Sequence, residues 1–169
     1  MIVSLMDLRQ LSKEQAGSLV GQHDAEVVIV VGHGTPDSVG SLQFSLTAET
    51  FPSFPSAQVI WLYACHCGIS LMRSIAERGV TVFGYVTSVL APATVESTVA
   101  YHIKSILEEY SGDTNPRALL SYVQEKLFDK ASVLLASATD ERNGLLLFQA
   151  SLINHTRLSL RFAPPNNEA

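Results

Sequence analysis

Three stretches of the chain are almost continuously apolar. They are VVIVV over 27–31, QVIWLYA over 58–64 and VTVFGYV over 80–86. Apolar runs of this length predict strands covered on both faces, as in a parallel sheet. MIVSL at the start predicts a further strand ahead of them. Between the runs the period is helical. LSKEQAGSLVGQ (11–22) predicts a short helix whose Ser12 and Gln15 have capping-box spacing. A helix over 69–78 is expected to stop at Gly79. From Thr94 to Tyr110, apolar residues at Val95, Val99, Ile103, Ile106 and Leu107 keep one helix face. NPRALL opens another helix, with Asn115 as N-cap, Pro116 in the first turn and Leu119, Leu120, Val123 and Leu127 on its apolar side.

Other segments break these periods. The span 35–56 holds Pro36, Pro52 and Pro55 and predicts a loop, with LQFSL its one patterned piece. Near the end, SVLLAS (132–137) and LLLFQAS (145–151) flank ATDERNG, whose Asn143-Gly144 predicts a hairpin. RLSLRF alternates as a half-exposed strand does, and the last residues, 164–169, predict a frayed tail behind one domain over 1–163. The order of elements predicts an α/β fold: an open, mostly parallel sheet flanked by helices, with antiparallel edge strands at the C-terminus.

Composition narrows the classes of partner. In 169 residues, 47% are hydrophobic and 16% charged, as in an ordinary packed domain. A net charge of −5 offers nothing to a phosphate backbone, so no nucleic-acid partner is expected. No apolar run has the length of a membrane span, so no membrane partner is expected. MIVSLMDLRQ carries Asp7 and Arg9 and lacks the basic start of a signal peptide. Cys65 and Cys67 make no disulfide framework, and free thiols fit a cytoplasmic location.

Two predicted strands end in reactive side chains. VVIVV runs into Gly32-His33-Gly34, and QVIWLYA runs into Cys65-His66-Cys67-Gly68. In an open α/β sheet, sites form beyond the carboxyl ends of the strands. If the two strands are parallel neighbours, a thiol and an imidazole emerge on one edge, as a cysteine nucleophile and its acid/base partner require. A helix following Cys65 would favour a thiolate there, and the amides of Gly34 and Cys65 are candidate oxyanion donors.

These residues carry a resemblance. GHG closing one strand and ACHCG closing the next resemble the caspase-like cysteine peptidases, the clan of caspases, metacaspases, separases and CHAT-domain proteases. Metacaspase-type members have a His-Gly and a Cys-His-Ser-Gly; here stand His33-Gly34 and Cys65-His66-Cys67-Gly68. CHAT-type members have an Ala-Cys-x-x-Gly, matched by Ala64 to Gly68, and continue with a strand, a loop and two helices. The resemblance spans roughly 27–127. It implies a caspase-like sheet and a cysteine endopeptidase acting without a cofactor. It makes His33 the general base and acid, Cys65 the nucleophile, and the Gly34 and Cys65 N–H groups the oxyanion donors. The implied partners are a protein or peptide substrate and a regulatory or activating protein. Small bacterial or phage-linked members act as triggered proteases in defence systems. Two residues before the nucleophile, where caspases have Gln and metacaspases often an acidic residue, stands Tyr63. The selected substrate residue therefore does not carry over. Tyr63, Thr35 and Asp37 are the expected substrate contacts. The segment before His33 is short for a full caspase sheet, so one strand–helix unit is expected to be missing or to come from a partner.

Plainer readings compete. Cys67 stands one residue before the glycine, where the family pattern has no nucleophile, and is expected to be structural; His66 is expected to shape the loop. Cys-x-Cys is tighter than usual zinc spacing and no second pair follows, so no metal is expected. VVGHGTPDS also resembles the opening of small tetrapyrrole metal chelatases, but here an earlier strand and helix precede it and ACHCG has no counterpart there. A caspase-like scaffold that only binds partners is the remaining alternative.

Overall fold

The computed structural model describes residues 1–18, 24–89, 96–136, 145 and 160–164. In chain order they form β1 (Val3–Asp7), a 3-10 turn (Leu8–Gln10), α1 (Lys13–Ser18) and β2 (Val27–Val31). Three short strands follow, β3 (His33–Gly34), β4 (Ser38–Gly40) and β5 (Ser45–Thr47). Then come β6 (Val59–Tyr63), α2 (Leu71–Ala76), β7 (Thr81–Tyr85), α3 (Glu96–Glu108), α4 (Pro116–Ala136) and β8 (Leu160–Ala163).

The main sheet has the order β1-β2-β6-β7-β8. Its first four strands are parallel, and β8 joins the β7 edge antiparallel. Every residue of β2, β6 and β7 is buried, which is why their sequences are apolar without alternation. Alternate residues serve two cores. Val27, Ile29, Val31, Trp61, Tyr63, Phe83 and Tyr85 face α3 and α4, which present Val99, Ile103, Leu107, Leu119, Val123 and Leu127. Val28, Val30, Ile60, Leu62 and Val82 face α1, α2 and the β2–β6 crossover. Aromatic pairs join β6 to β7: Trp61 to Phe83 at 4.9 Å and Tyr63 to Tyr85 edge-on at 5.4 Å.

The caps follow their residue types. Ser12 Oγ accepts from the Gln15 N–H (3.2 Å) while Gln15 Oε1 accepts from the Ser12 N–H (2.8 Å), the reciprocal bonds of a capping box. Asn115 Oδ1 accepts from the N–H groups of Arg117 and Ala118 at the start of α4. Gly79, with φ +89°, ends the turn that follows α2.

Three expectations need correction. The span 35–56 is not a plain loop, because β3, β4 and β5 pair there into a small antiparallel sheet. Its strands are two or three residues long and too rich in Gly and Ser to show a period. That sheet replaces a helix as the crossover from β2 to β6. It is moored to both ends of α2. The Ser70 and Leu71 N–H groups donate to the Pro36 carbonyl (3.2 and 2.8 Å). The Ser70 hydroxyl donates to the Asp37 carboxylate, and the Arg78 guanidinium donates to the carbonyls of Phe51 and Ala48. Second, Ser132–Ala136 is the last part of α4, not a strand. The buried stripe of α4 ends at Ala131, so the apolar Val133 and Leu135 lie on its exposed side. Third, the helix after Cys65 begins only at Leu71. The Asn143-Gly144 hairpin and residues 165–169 lie outside the described residues, as does 146–151; Leu145 has helical backbone. Among the described residues, no helix is long and apolar enough to cross a membrane.

Candidate active site

The register of β2 on β6 decides what meets beyond their carboxyl ends. Val31 pairs with Tyr63, and the next amide, Gly32 N–H, still reaches the Tyr63 carbonyl at 3.4 Å. Past this pair His33 turns into β3, opposite Gly40, and it is Gly34 that comes against the Cys65 turn. The backbones do meet there. A Cβ on Gly34 would lie 2.0 Å from the Cys65 carbonyl oxygen and 2.7 Å from the Cys65 nitrogen, so only glycine fits. His33 is exposed and Cys65 half-buried. Among the described residues no hydrogen bond joins them; the sulfur instead accepts the Val89 N–H at 3.2 Å.

Two amides face this junction. The Thr35 N–H donates to the Ser38 carbonyl (2.9 Å), which makes that pair a hydrogen-bonded one. The neighbouring pair, Gly34 with Val39, is therefore a non-hydrogen-bonded position, and the Gly34 N–H turns away from β4. Among the described residues neither it nor the Cys65 N–H meets an acceptor. Two free donors on touching residues are what an oxyanion needs.

The turn after β6 separates its two cysteines. The Cys67 thiol donates to the carbonyls of Ala64 (3.1 Å) and Leu62 (3.5 Å) inside the core. Burial pushes it up to about 12, so it stays a neutral thiol. Cys65 is half-buried and packs against the core on the α3–α4 side of the sheet. The thiolate-favouring helix N-terminus expected beside it is not there. The amides that open α2, those of Ser70 and Leu71, are spent on the Pro36 carbonyl. Among the described residues the sulfur's donor is the backbone amide of Val89, which no sequence pattern announces.

His66 has left-handed backbone, φ 59°, a conformation in which His is more at ease than most residues. Its N–H donates to the Thr87 carbonyl (3.1 Å), and Gly68 N–H to the Tyr85 carbonyl (2.8 Å). Its ring Nε2 is 3.2 Å from Ser88 Oγ. The turn is thereby fastened to the segment leaving β7.

The expected substrate contacts fall elsewhere. Tyr63 is buried in the core against Tyr85 and offers a substrate no surface, which does not fit the role expected of it. Thr35 Oγ1 accepts from the N–H groups of Asp37 and Ser38 and shapes the β3–β4 turn. Asp37 is exposed and fixes that turn to Ser70. Sequence reasoning missed a cavity of about 340 Å³ that does open beside His33. Arg9, Gln10 and Ser12 line it from the β1–α1 turn, and Ser41 and Gln43 from the β4–β5 turn. The charge of Arg9 is matched by Asp7, whose buried carboxylate takes its Nε and Nη2 at 2.8 Å each. Among the described residues no three His, Cys, Asp or Glu side chains cluster to hold a metal ion.

The structure brings the Cys65 turn against Gly34, whereas the described lining of the cavity at His33 comes from the β1–α1 and β4–β5 turns and does not include Cys65. In comparison with known proteins, no family model, curated protein or solved structure matches the chain significantly.

Proposed function

We propose that the protein is a caspase-like cysteine endopeptidase, closest to the CHAT type. The observation that carries this reading is the close packing of Gly34, next to His33 after β2, against the Cys65 backbone that follows the adjacent parallel strand β6. The Gly34 and Cys65 amides, which meet no acceptor among the described residues, support it further.

In the proposed reaction His33 comes within about 3–4 Å of the Cys65 sulfur and takes its proton. The thiolate attacks a peptide carbonyl carbon, and the Gly34 and Cys65 N–H groups receive the charge on its oxygen. One such donor is worth roughly 10²–10³ in rate. The imidazolium then protonates the leaving amine as the C–N bond breaks and a thioester remains. Water, giving a proton to His33, releases the acid and restores the thiol. The cavity beside His33 takes a substrate side chain in this reading. A reducing cytoplasm suits the two free thiols. By resemblance to small members of the clan, the natural role is that of a triggered protease in bacterial defence, cutting one dedicated protein.

The test is cleavage of a proteome-derived peptide library, read by mass spectrometry of new termini. The wild-type chain is expected to cut a restricted set of bonds. Cys65→Ala should cut none, and His33→Ala should be at least about 100-fold slower. A wild-type chain that cuts nothing, while Cys65→Ala retains its full biological effect, would point instead to a caspase-like binding scaffold.

A further inference from the structure

The nucleophile proposed above is held by a segment outside its own strand. The sulfur of Cys65 accepts the Val89 N–H at 3.2 Å. Val89 follows β7, the strand beyond β6, so the position of its amide depends on how the β7 exit lies against the turn at Cys65. Two backbone bonds set that lie, Gly68 N–H to the Tyr85 carbonyl and His66 N–H to the Thr87 carbonyl. One side-chain contact completes it, His66 Nε2 to Ser88 Oγ at 3.2 Å. The three partners on the β7 side, Tyr85, Thr87 and Ser88, run straight up to Val89. The left-handed backbone of His66 belongs to the same device. A non-glycine residue with φ 59° carries a local cost that the surroundings must offset. Here the strain is met by bonds from both the backbone and the ring of that one residue.

We propose that His66 and Ser88 form a clasp that positions the Val89 amide on the Cys65 sulfur and so sets the reactivity of the thiol. The inference rests on the reading of Cys65 as nucleophile. His66 and Ser88 are positioning residues in it, since they act through Val89. The clasp holds in either charge state of the ring, because the serine hydroxyl both donates and accepts. A backbone donor on sulfur steadies the sulfur for attack and accepts it back as the leaving group when the thioester is hydrolysed. Opening the clasp withdraws the donor without touching Cys65, His33 or the oxyanion amides. Ser88 is exposed and buries nothing in either core, so its hydroxyl can be removed with little effect on the fold.

The experiment is the rate of Cys65 alkylation by iodoacetamide at pH 7.5, with the modified residue located by peptide mapping. Ser88→Ala is expected to slow alkylation roughly three- to tenfold, as the sulfur loses a hydrogen-bond donor that the clasp holds in place. The urea midpoint should not move. Ser88→Thr, which keeps the hydroxyl, should restore the rate. His66→Asn, which keeps a residue tolerant of left-handed backbone, should slow it as Ser88→Ala does. Alkylation of Ser88→Ala within twofold of wild type would overturn the clasp. The peptidase reading stands or falls separately. A chain that cuts no peptide but whose alkylation depends on Ser88 keeps the clasp, and one that cuts peptides with Ser88-independent alkylation loses it.

Discussion

In the proposed reaction single residues at the strand ends carry most of the weight, and their neighbours explain why each type stands there. Gly34 is pressed against the Cys65 backbone, with room for a hydrogen atom and no more. Gly34→Ala is expected to push the two chains apart, costing about 1–3 kcal/mol of stability through overpacking. It should also misplace one oxyanion donor, lowering the cleavage rate roughly 10²–10³-fold. Urea denaturation and library cleavage read the two effects, and unchanged cleavage would remove Gly34 from the oxyanion site. The two cysteines are distinguished by surroundings rather than by spacing. Cys67 stays protonated in the fold up to about 12, whereas its ordinary value is 9.0. Its folded value is raised, so its stabilising contribution is complete below about 9 and is lost as the pH climbs through about 12. Burial raises the Tyr85 phenol as well, in the same sense. Stability measured by urea should therefore decline from pH 9 to 11, and less steeply in Cys67→Ala. Equal slopes would contradict the buried, neutral thiol. The sequence marked Cys65 and His33 through the motifs around them. It could not mark Val89, whose part is played by a backbone amide, nor show that Tyr63, one position before Ala64, points into the core.

Among the elements, those legible in the sequence are the ones whose burial fixes their pattern. β2, β6 and β7 are buried throughout and read as unbroken apolar runs. α4 was legible at its start, where Asn115, Pro116 and the stripe from Leu119 to Leu127 agree. Its last turns were not, because Val133 to Leu135 form an apolar run that a strand would also show. In the structure Val133 and Leu135 are exposed, and Ser132 bonds back to the Phe128 carbonyl as a helical serine does. The small sheet β3–β5 was hidden for the opposite reason, since two or three residues cannot display a period of two. The N-cap of α4 makes a prediction at this scale. Asn115→Ala leaves the Arg117 and Ala118 N–H groups without their acceptor and should cost about 1 kcal/mol, with Asn115→Asp costing little. A urea titration that shows no loss in Asn115→Ala would mean that α4 does not depend on its cap.

For the molecule as a whole, the order β1-β2-β6-β7 has a consequence for where chemistry can occur. The strands follow one another across the sheet, so no reversal of direction opens a crevice between β2 and β6. The crossover between them is a small sheet moored to both ends of α2, and it carries Gly34 against the turn that follows β6. The Asp7–Arg9 pair lies at the same edge, where Arg9 lines the cavity beside His33. We propose that this edge makes a working thiol–imidazole pair. It is tested most directly by intact-mass spectrometry after reaction with a panel of peptidyl acyloxymethyl ketones, which alkylate a cysteine peptidase at its nucleophile. The account predicts one adduct, located at Cys65, absent from Cys65→Ala and formed at least about 100-fold more slowly by His33→Ala. Labelling of Cys65 at the same rate in His33→Ala as in the wild-type chain would contradict it.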